Sequence, residues 1–307
     1  MYDISLNFKK INFRKIFVLF NIIFLIFSVL FCIKIYIVDD YLHDISLKDA
    51  RKIIYDQNET TNVSEKLKSL TEQNSDIVGW ISIKGTPVDY PVLQSSFEDP
   101  VFYLNHDSNK KKNANGSVFM NASRKFSKSI RNVVLHAHNL KSGRMFGSIL
   151  KYSSIKFYKS APIISFDTIY GPEEYKIFAI FKTNTDEKHG KIFNYLRPVF
   201  NGDEDFLEFL YNIKIRSLLN IPVDLNAKDK LIILSTCSYE MPNFRTVVVA
   251  RKIRDGEDKN IDTEKVTLNP TSLWPEAYHQ YKKTEIPKHD GFFEDLKNGK
   301  IDWLTKK

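Results

Sequence analysis

Cysteine is nearly absent: Cys32 and Cys237 are the only two in 307 residues. That excludes a disulfide framework. With no C-x-x-C pair and no Cys/His ligand spacing, a structural zinc site has no support either. Cys32 lies in a long apolar run that should sit inside lipid, which argues against pairing of the two with each other. Internal repeats and low-complexity blocks are also missing, which leaves no case for a solenoid or a biased tail. A composition of 43% hydrophobic and 27% charged residues is that of an ordinary globular protein rather than a disordered one. Acid is in deficit, with 37 Asp and Glu against 45 Lys and Arg, for a formal charge of +8. Such a balance suits nucleic acid, an anionic membrane surface or a cell wall.

The N-terminus decides between those partners. Residues 16–33 are almost unbroken in apolar character, interrupted only by Asn21 and Ser28, and the character resumes after Lys34 as far as Val38. At about 1.5 Å per residue the run is long enough to cross a hydrocarbon core of about 30 Å. Lys9, Lys10, Arg14 and Lys15 precede it, and Asp39 and Asp40 follow. By the positive-inside bias, residues 1–15 stay in the cytoplasm and everything after about residue 39 is exported. A cleaved signal peptide would have a shorter apolar region ending at a small-x-small site, and Phe31-Cys32-Ile33-Lys34-Ile35 offers none. The sequence thus predicts a single-pass anchor in the cell membrane over residues 16–38. Membrane lipid becomes a partner, and no nucleic acid is expected outside the cell.

Beyond the anchor the chain divides into three stretches. Residues 39–73 read as a helical linker, with Leu42, Ile45, Ala50, Ile53 and Ile54 at helical spacing. Val63, Leu67 and Leu70 follow after the polar break at 58–62. From 74 to 255 the pattern turns to short segments rich in Val, Ile, Phe and Tyr, bounded by Gly, Pro, Asn or Asp. These predict strands over 78–83, 88–93, 117–121, 132–137, 162–167, 175–182, 231–236 and 246–251. Few helices intervene, which favours an antiparallel or mixed barrel over a doubly wound sheet. Helices are predicted near 203–218 and 143–152. Residues 256–307 form an extension of unassigned role, with ten acidic and nine basic residues and two of the three tryptophans, Trp274 and Trp303. It is too aromatic for a solvated tail and is expected to pack on the domain or on a partner.

Cys237 ends the apolar run 231–236 and is followed by polar Ser238-Tyr239-Glu240. A cysteine there is either a small buried hydrophobe or a nucleophile presented from a rigid strand. Arg245 stands eight residues on, where a hairpin would return it beside the sulfur to hold a developing oxyanion. A surface arginine at a strand end is the plain alternative. His138 falls where the strand 132–137 breaks into the loop 139–143, a place from which an imidazole can serve as acid and base. His136 is two residues earlier on the same side. The H-x-H pair has no third metal ligand nearby in sequence. His43, His106, His189, His279 and His289 lie in polar stretches and are expected to be solvated.

Several motifs follow one another in a fixed order: Trp80-Ile81-Ser82-Ile83-Lys84-Gly85-Thr86, then 89–94, Tyr103-Leu104-Asn105, 116–120, Ala137-His138-Asn139, Met145-Phe146 and Leu234-Ser235-Thr236-Cys237. Arg245 with 247–251 completes the series. Over about residues 74–254 the chain resembles the sortase B-type cysteine transpeptidases. The resemblance implies a mostly β fold with helices: an eight-stranded sortase-type barrel, N-terminal helices and one N-terminal transmembrane helix. It also implies Cys237 as nucleophile, His138 as acid/base partner and Arg245 at the oxyanion. The family usually has Gly before the histidine and Thr before Leu-Ser-Thr-Cys, where this chain has Ala137 and Ile233. Neither change removes a reacting group.

The implied reaction cleaves a C-terminal sorting signal of an exported protein, of the Asn-Pro-x-Thr kind, through a Cys237 thioester. An amine of a peptidoglycan precursor or cross-bridge then takes the acyl group. No metal or organic cofactor is needed. Tyr90, Leu93, Asn105 and Ser235 are candidates to line the substrate groove. Two other readings use the same chain: a Cys-His peptidase that passes the acyl group to water, and an inert membrane-tethered wall-binding barrel. Leu268-Asn269-Pro270-Thr271-Ser272 loosely resembles a sorting signal and could act as an autoinhibitory segment in the groove.

Overall fold

The computed structural model describes residues 13–55, 63–120, 122 and 125–305. Lys9 and Lys10, and most of the expected cytoplasmic segment, lie outside the described residues, as does the polar break at 58–62. Helix α1, Phe13–Ile33, has no buried residue and is the one described helix long and apolar enough to cross a membrane. A π-helical turn, Lys34–Val38, leads without a break into α2, Asp39–Ile54. Helix α3 follows over Val63–Gln73.

Eight strands close into a barrel. They are β1 (Ile77–Ser82), β2 (Asp89–Gln94), β3 (Val118–Met120), β4 (Asn132–His136), β5 (Ile163–Thr168), β6 (Glu174–Asn184), β8 (Leu231–Ser238) and β9 (Phe244–Lys252). Two-residue strands β7 (Leu219–Asn220) and β10 (Thr267–Leu268) pair with each other outside it. The order around the barrel is β1-β2-β3-β4-β8-β9-β6-β5, closed by the β1–β5 pairing. Only β2–β3 and β4–β8 are parallel. Fully buried Ile81, Val92, Leu135, Ile164, Ile180, Leu234 and Val248 belong to the main core. Each such side chain contributes about 1.5–3 kcal/mol by leaving water. All eight predicted strands are present, but β8 and β9 run further toward their shared hairpin than the apolar runs suggest. Cys237 and Arg245 are therefore inside the ladder.

Helices α2 and α3 cover the outer face of β1–β2–β3. A second apolar cluster forms there from Ala50, Ile54, Leu67, Leu70, Trp80, Leu93, Tyr103 and Phe119. Asp89 pins the end of α2 to the barrel: its carboxylate accepts from Trp80 Nε1 (2.8 Å) and Tyr55 OH (2.5 Å) and lies 3.3 Å from Arg51 Nε. The buried face of α2 is Asp39, His43, Leu47, Ala50 and Ile54, whereas Leu42 and Ile45 are exposed. This corrects the expected stripe, because a neutral imidazole takes a core place that hydropathy alone denies it. His189 and His279 are buried too, contrary to expectation.

The helix expected near 143–152 is instead a 3₁₀ helix over Gly147–Ser153, followed by α4, Ile155–Ser160. Gly143 and Met145 both have positive φ, which breaks an α-helix before it starts. Helix α5 spans Gly202–Lys214 and stops short of 218, where Leu218 N turns to donate to Ile180 O on β6 at 2.6 Å. The extension packs on the domain, as its aromatic content predicts, through α6 (Glu276–Lys282), α7 (Phe292–Lys297) and β10.

Candidate active site

Three adjacent strands bring the candidate residues Cys237, Arg245 and His138 into one row. On β8 and β9, Cys237 and Arg245 are directly opposed in the antiparallel register. Opposed residues place their Cβ atoms about 5 Å apart on one face. On the other side of β8, His136 is paired with Ser235 in the parallel register of β4 and β8. Past the formal end of β4 the two chains stay together. Ala137 N donates to Ser235 O (3.4 Å), Thr236 Oγ1 to Ala137 O (2.7 Å) and Asn139 Nδ2 to Cys237 O (2.9 Å). His138 therefore flanks Cys237 on one side as Arg245 does on the other.

The surroundings hold each group. His138 Nε2 is 2.7 Å from Leu104 O, and a carbonyl only accepts, so Nε2 carries a proton in this contact. Nδ1 is then the ring nitrogen left for another partner. The loop after His138 closes through an Asn139–Met145 bridge and a bond from Phe146 N to His138 O at 3.0 Å. Arg245 Nη1 donates to Phe244 O at 3.0 Å, and Cys237 is partly exposed. Below the row, buried Lys182 reaches Ser238 Oγ (3.0 Å), Thr246 Oγ1 (2.8 Å) and Glu240 Oε1 (2.6 Å). Burial pushes the Glu240 carboxyl up, but hydrogen bonds from Lys182 and Ser238 outweigh it and leave the pKa below the usual range. His136 is pushed down to about 4 by burial and then by the Arg245 charge, so it stays neutral beside the row. Among the described residues no three His, Cys, Asp or Glu side chains come together to hold a metal ion.

The four groove candidates separate into two kinds. Ser235 lies in the row at His136 and shares a 2.8 Å hydrogen bond with Tyr195 OH, while Asn105 is exposed beside Leu104. Tyr90 and Leu93 are buried in the two apolar clusters, and Ser235 is buried as well. The Tyr90 hydroxyl accepts from Met145 N at 3.0 Å, supporting the loop beyond His138. Leu93 belongs to the second apolar cluster. Sequence reasoning missed Tyr195, which comes from the long insertion between β6 and β8 and has no strand pattern to mark it. It also missed Leu104 as a carbonyl partner, because a backbone acceptor carries no residue signature.

The sortase domain family matches residues 81–253, just over half of the chain. This chain belongs to the sortase family. Sortase B of Staphylococcus aureus (strain NCTC 8325 / PS 47) is 35% identical over 195 residues, covering 63% of this chain and 77% of that protein. The structure of a Staphylococcus aureus sortase B–substrate complex superposes with a TM-score of 0.61 at 32% identity, over 70% of this chain and 96% of that one. A crystal structure of sortase B complexed with triglycine gives 0.62 at 33% identity, over 70% and 99%. The sortase is accordingly a cysteine transpeptidase of the B type, and its barrel is the one the motif series implies. The family match ends at 253, so the extension lies outside it.

Proposed function

We propose that this sortase cleaves a C-terminal sorting signal of the Asn-Pro-x-Thr kind from exported proteins and joins them to a peptidoglycan amine. The row His138–Cys237–Arg245 across β4, β8 and β9 is the observation that carries this reading. Cys237 thiolate attacks the threonine carbonyl carbon, and Arg245 holds the oxyanion as the tetrahedral intermediate forms. Collapse breaks the scissile C–N bond, His138 gives a proton to the departing amine, and a thioester remains on Cys237. An incoming amine loses its proton to His138, attacks the thioester and releases Cys237. The triglycine in the related crystal structure is an amine of that class.

Location supports the same assignment. Helix α1 is compatible with a membrane anchor, and Arg14 and Lys15 at its start against Asp39 and Asp40 at its end favour a cytoplasmic N-terminus. The anchor, the helical segment, the barrel and the extension then divide the chain at about residues 38, 73 and 255.

Peptides bearing Asn-Pro-x-Thr and Leu-Pro-x-Thr, with a fluorophore and quencher flanking the signal, test the proposal on the full chain in detergent with and without triglycine. Cleavage lost in Cys237→Ala, a trapped Cys237 thioester and a triglycine adduct are the expected results. Acid product alone, at saturating triglycine, makes the protein a peptidase. Absence of turnover on every peptide from folded protein sinks the reading.

A further inference from the structure

The extension grips the insertion between β6 and β8 at both of its ends. At the exit, β10 pairs with β7, Asn269 Nδ2 donates to Ser217 O (2.8 Å), Leu273 N to Ile215 O (2.9 Å) and Ser272 Oγ to Arg216 O (2.8 Å). Tyr211 OH on α5 donates to Asp295 Oδ2 at 2.5 Å, and its ring packs on Phe292 at 6.0 Å. At the entrance, α6 lies on the short 3₁₀ turn Glu187–His189. Gly190 there has φ +104 and leaves only the room that the Glu276 side chain needs, so a Cβ would meet it at 2.9 Å. Residues 268–272 make their hydrogen bonds to the rest of the domain at 216–220 and His289, and none goes to β8, β9 or the His138 loop among the described residues. The sorting-signal-like segment is therefore not in the groove.

What lies between the two gripped ends is the segment 191–201, which has no helix or strand of its own. It delivers Tyr195 to Ser235 in the reacting row. A segment without a hydrogen-bond ladder takes its position from its ends and its packing. We infer that the C-terminal extension is a strap that sets the position of the Tyr195 wall of the substrate groove, and with it the affinity for the sorting peptide. Residues 256–305 would then act on binding without touching the reacting atoms. The inference rests on the sortase reading of the groove.

The test compares the full chain with Asn269→Ala/Ser272→Ala, which removes two of the exit hydrogen bonds, and with a form ending at residue 261, which removes them all. Each is assayed by steady-state kinetics on the Asn-Pro-x-Thr peptide and by hydrogen exchange of 187–201. A wall that contributes binding shared by ground and transition states acts on KM alone, so a rise in KM of about tenfold with kcat within about twofold is expected. Faster exchange in 187–201 should accompany it. Unchanged KM and exchange in the double variant and in the shortened form, both folded, overturn the strap. A fall in kcat and in melting temperature at constant KM also overturns it, leaving a purely stabilising role. If the parent protein shows no turnover on any peptide, the sortase reading fails instead, and exchange alone then judges whether the extension orders 187–201.

Discussion

Lowering the pH from 7 to 5 should cost the folded protein about 2 kcal/mol through His43 alone. The ring is buried on the inner face of α2, and neither nitrogen has a hydrogen-bond partner among the described residues. Burial first, then the charges of Arg144 and Arg51, push its pKa down to about 4, with Asp44 and Asp40 opposing them. The unfolded chain takes up a proton near pH 6.5, whereas the folded one resists until about 4. This stability is therefore complete above 6.5 and is lost as pH falls toward 4. For a site shifted from 6.5 to about 4, the difference between pH 7 and pH 5 comes to about 2 kcal/mol. Urea unfolding of the parent and His43→Leu at both pH values isolates the share. Leucine binds no proton, so the variant should lose less stability on acidification by that amount. His136, also pushed down to about 4, contributes equally to both proteins and cancels. Parallel losses in parent and variant would refute the argument.

Three further substitutions probe what holds the row together. Gly116 has φ +60, and a Cβ there would lie 2.4 Å from Leu104 O, the carbonyl that holds His138. Gly116→Ala should therefore cut kcat by about 10²-fold, with the pH–rate profile displaced, while Cys237 still alkylates in the folded protein. Arg251 is wholly buried and meets Asp224 and Glu257 at 2.7 and 2.5 Å. Arg251→Met removes one cation from each carboxylate while Arg254 still meets Asp224 and Lys176 still meets Glu257, and should cost about 1–3 kcal/mol in urea unfolding. Arg144 ties the loop beyond His138 to Asp40 (3.4 Å) and Asp44 (2.5 Å) at the start of α2. Arg144→Ala should lower stability by about 1 kcal/mol and speed exchange in 39–47 and 139–146 together. Exchange confined to one of the two segments would show that the bridge does not couple them.

The barrel was legible in the sequence, and so was the placing of Cys237 and Arg245 beside each other, because two strong signals combine there. Alternating or continuous runs of Val, Ile and Leu marked all eight strands, and Cys237 and Arg245 stood at the hairpin between two of them. Elements held by tertiary contact were harder. The inner face of α2 includes Asp39 and His43, which hydropathy assigns to water, yet Asn113 bonds to Asp39 O and the ring of Tyr90 lies 6.1 Å from His43. A run of helix-forming residues at 143–152 becomes a 3₁₀ turn because positive φ at Gly143 and Met145 closes the loop under His138. The grip of the extension on 211–220 depends largely on backbone carbonyls, to which no residue pattern corresponds.

The misplaced groove candidates show where substrate can lie. Leu93, Phe119, His136 and Ser235 form one continuous row across β2, β3, β4 and β8. Reading strands singly gives Leu93 and Ser235 equal claims, since side chains alternate in and out on both. The difference comes from what covers the sheet. Leu93 and Phe119 are buried in one apolar cluster with Leu67, Leu70, Trp80 and Tyr103, so the outer face of β2 is closed. At the other end of the row, Tyr195 meets Ser235 from the insertion. Between those two covers β4 and β8 carry His136 and the buried Ser235, and His138, Cys237 and Arg245 stand beyond them, where Cys237 is partly exposed. An extended peptide would reach Cys237 with its scissile carbonyl at the partly exposed end of the row, beside His138 and Arg245. The residues that set signal preference should accordingly be sought on the Tyr195 segment and around Leu104 and Asn105, and not on β2.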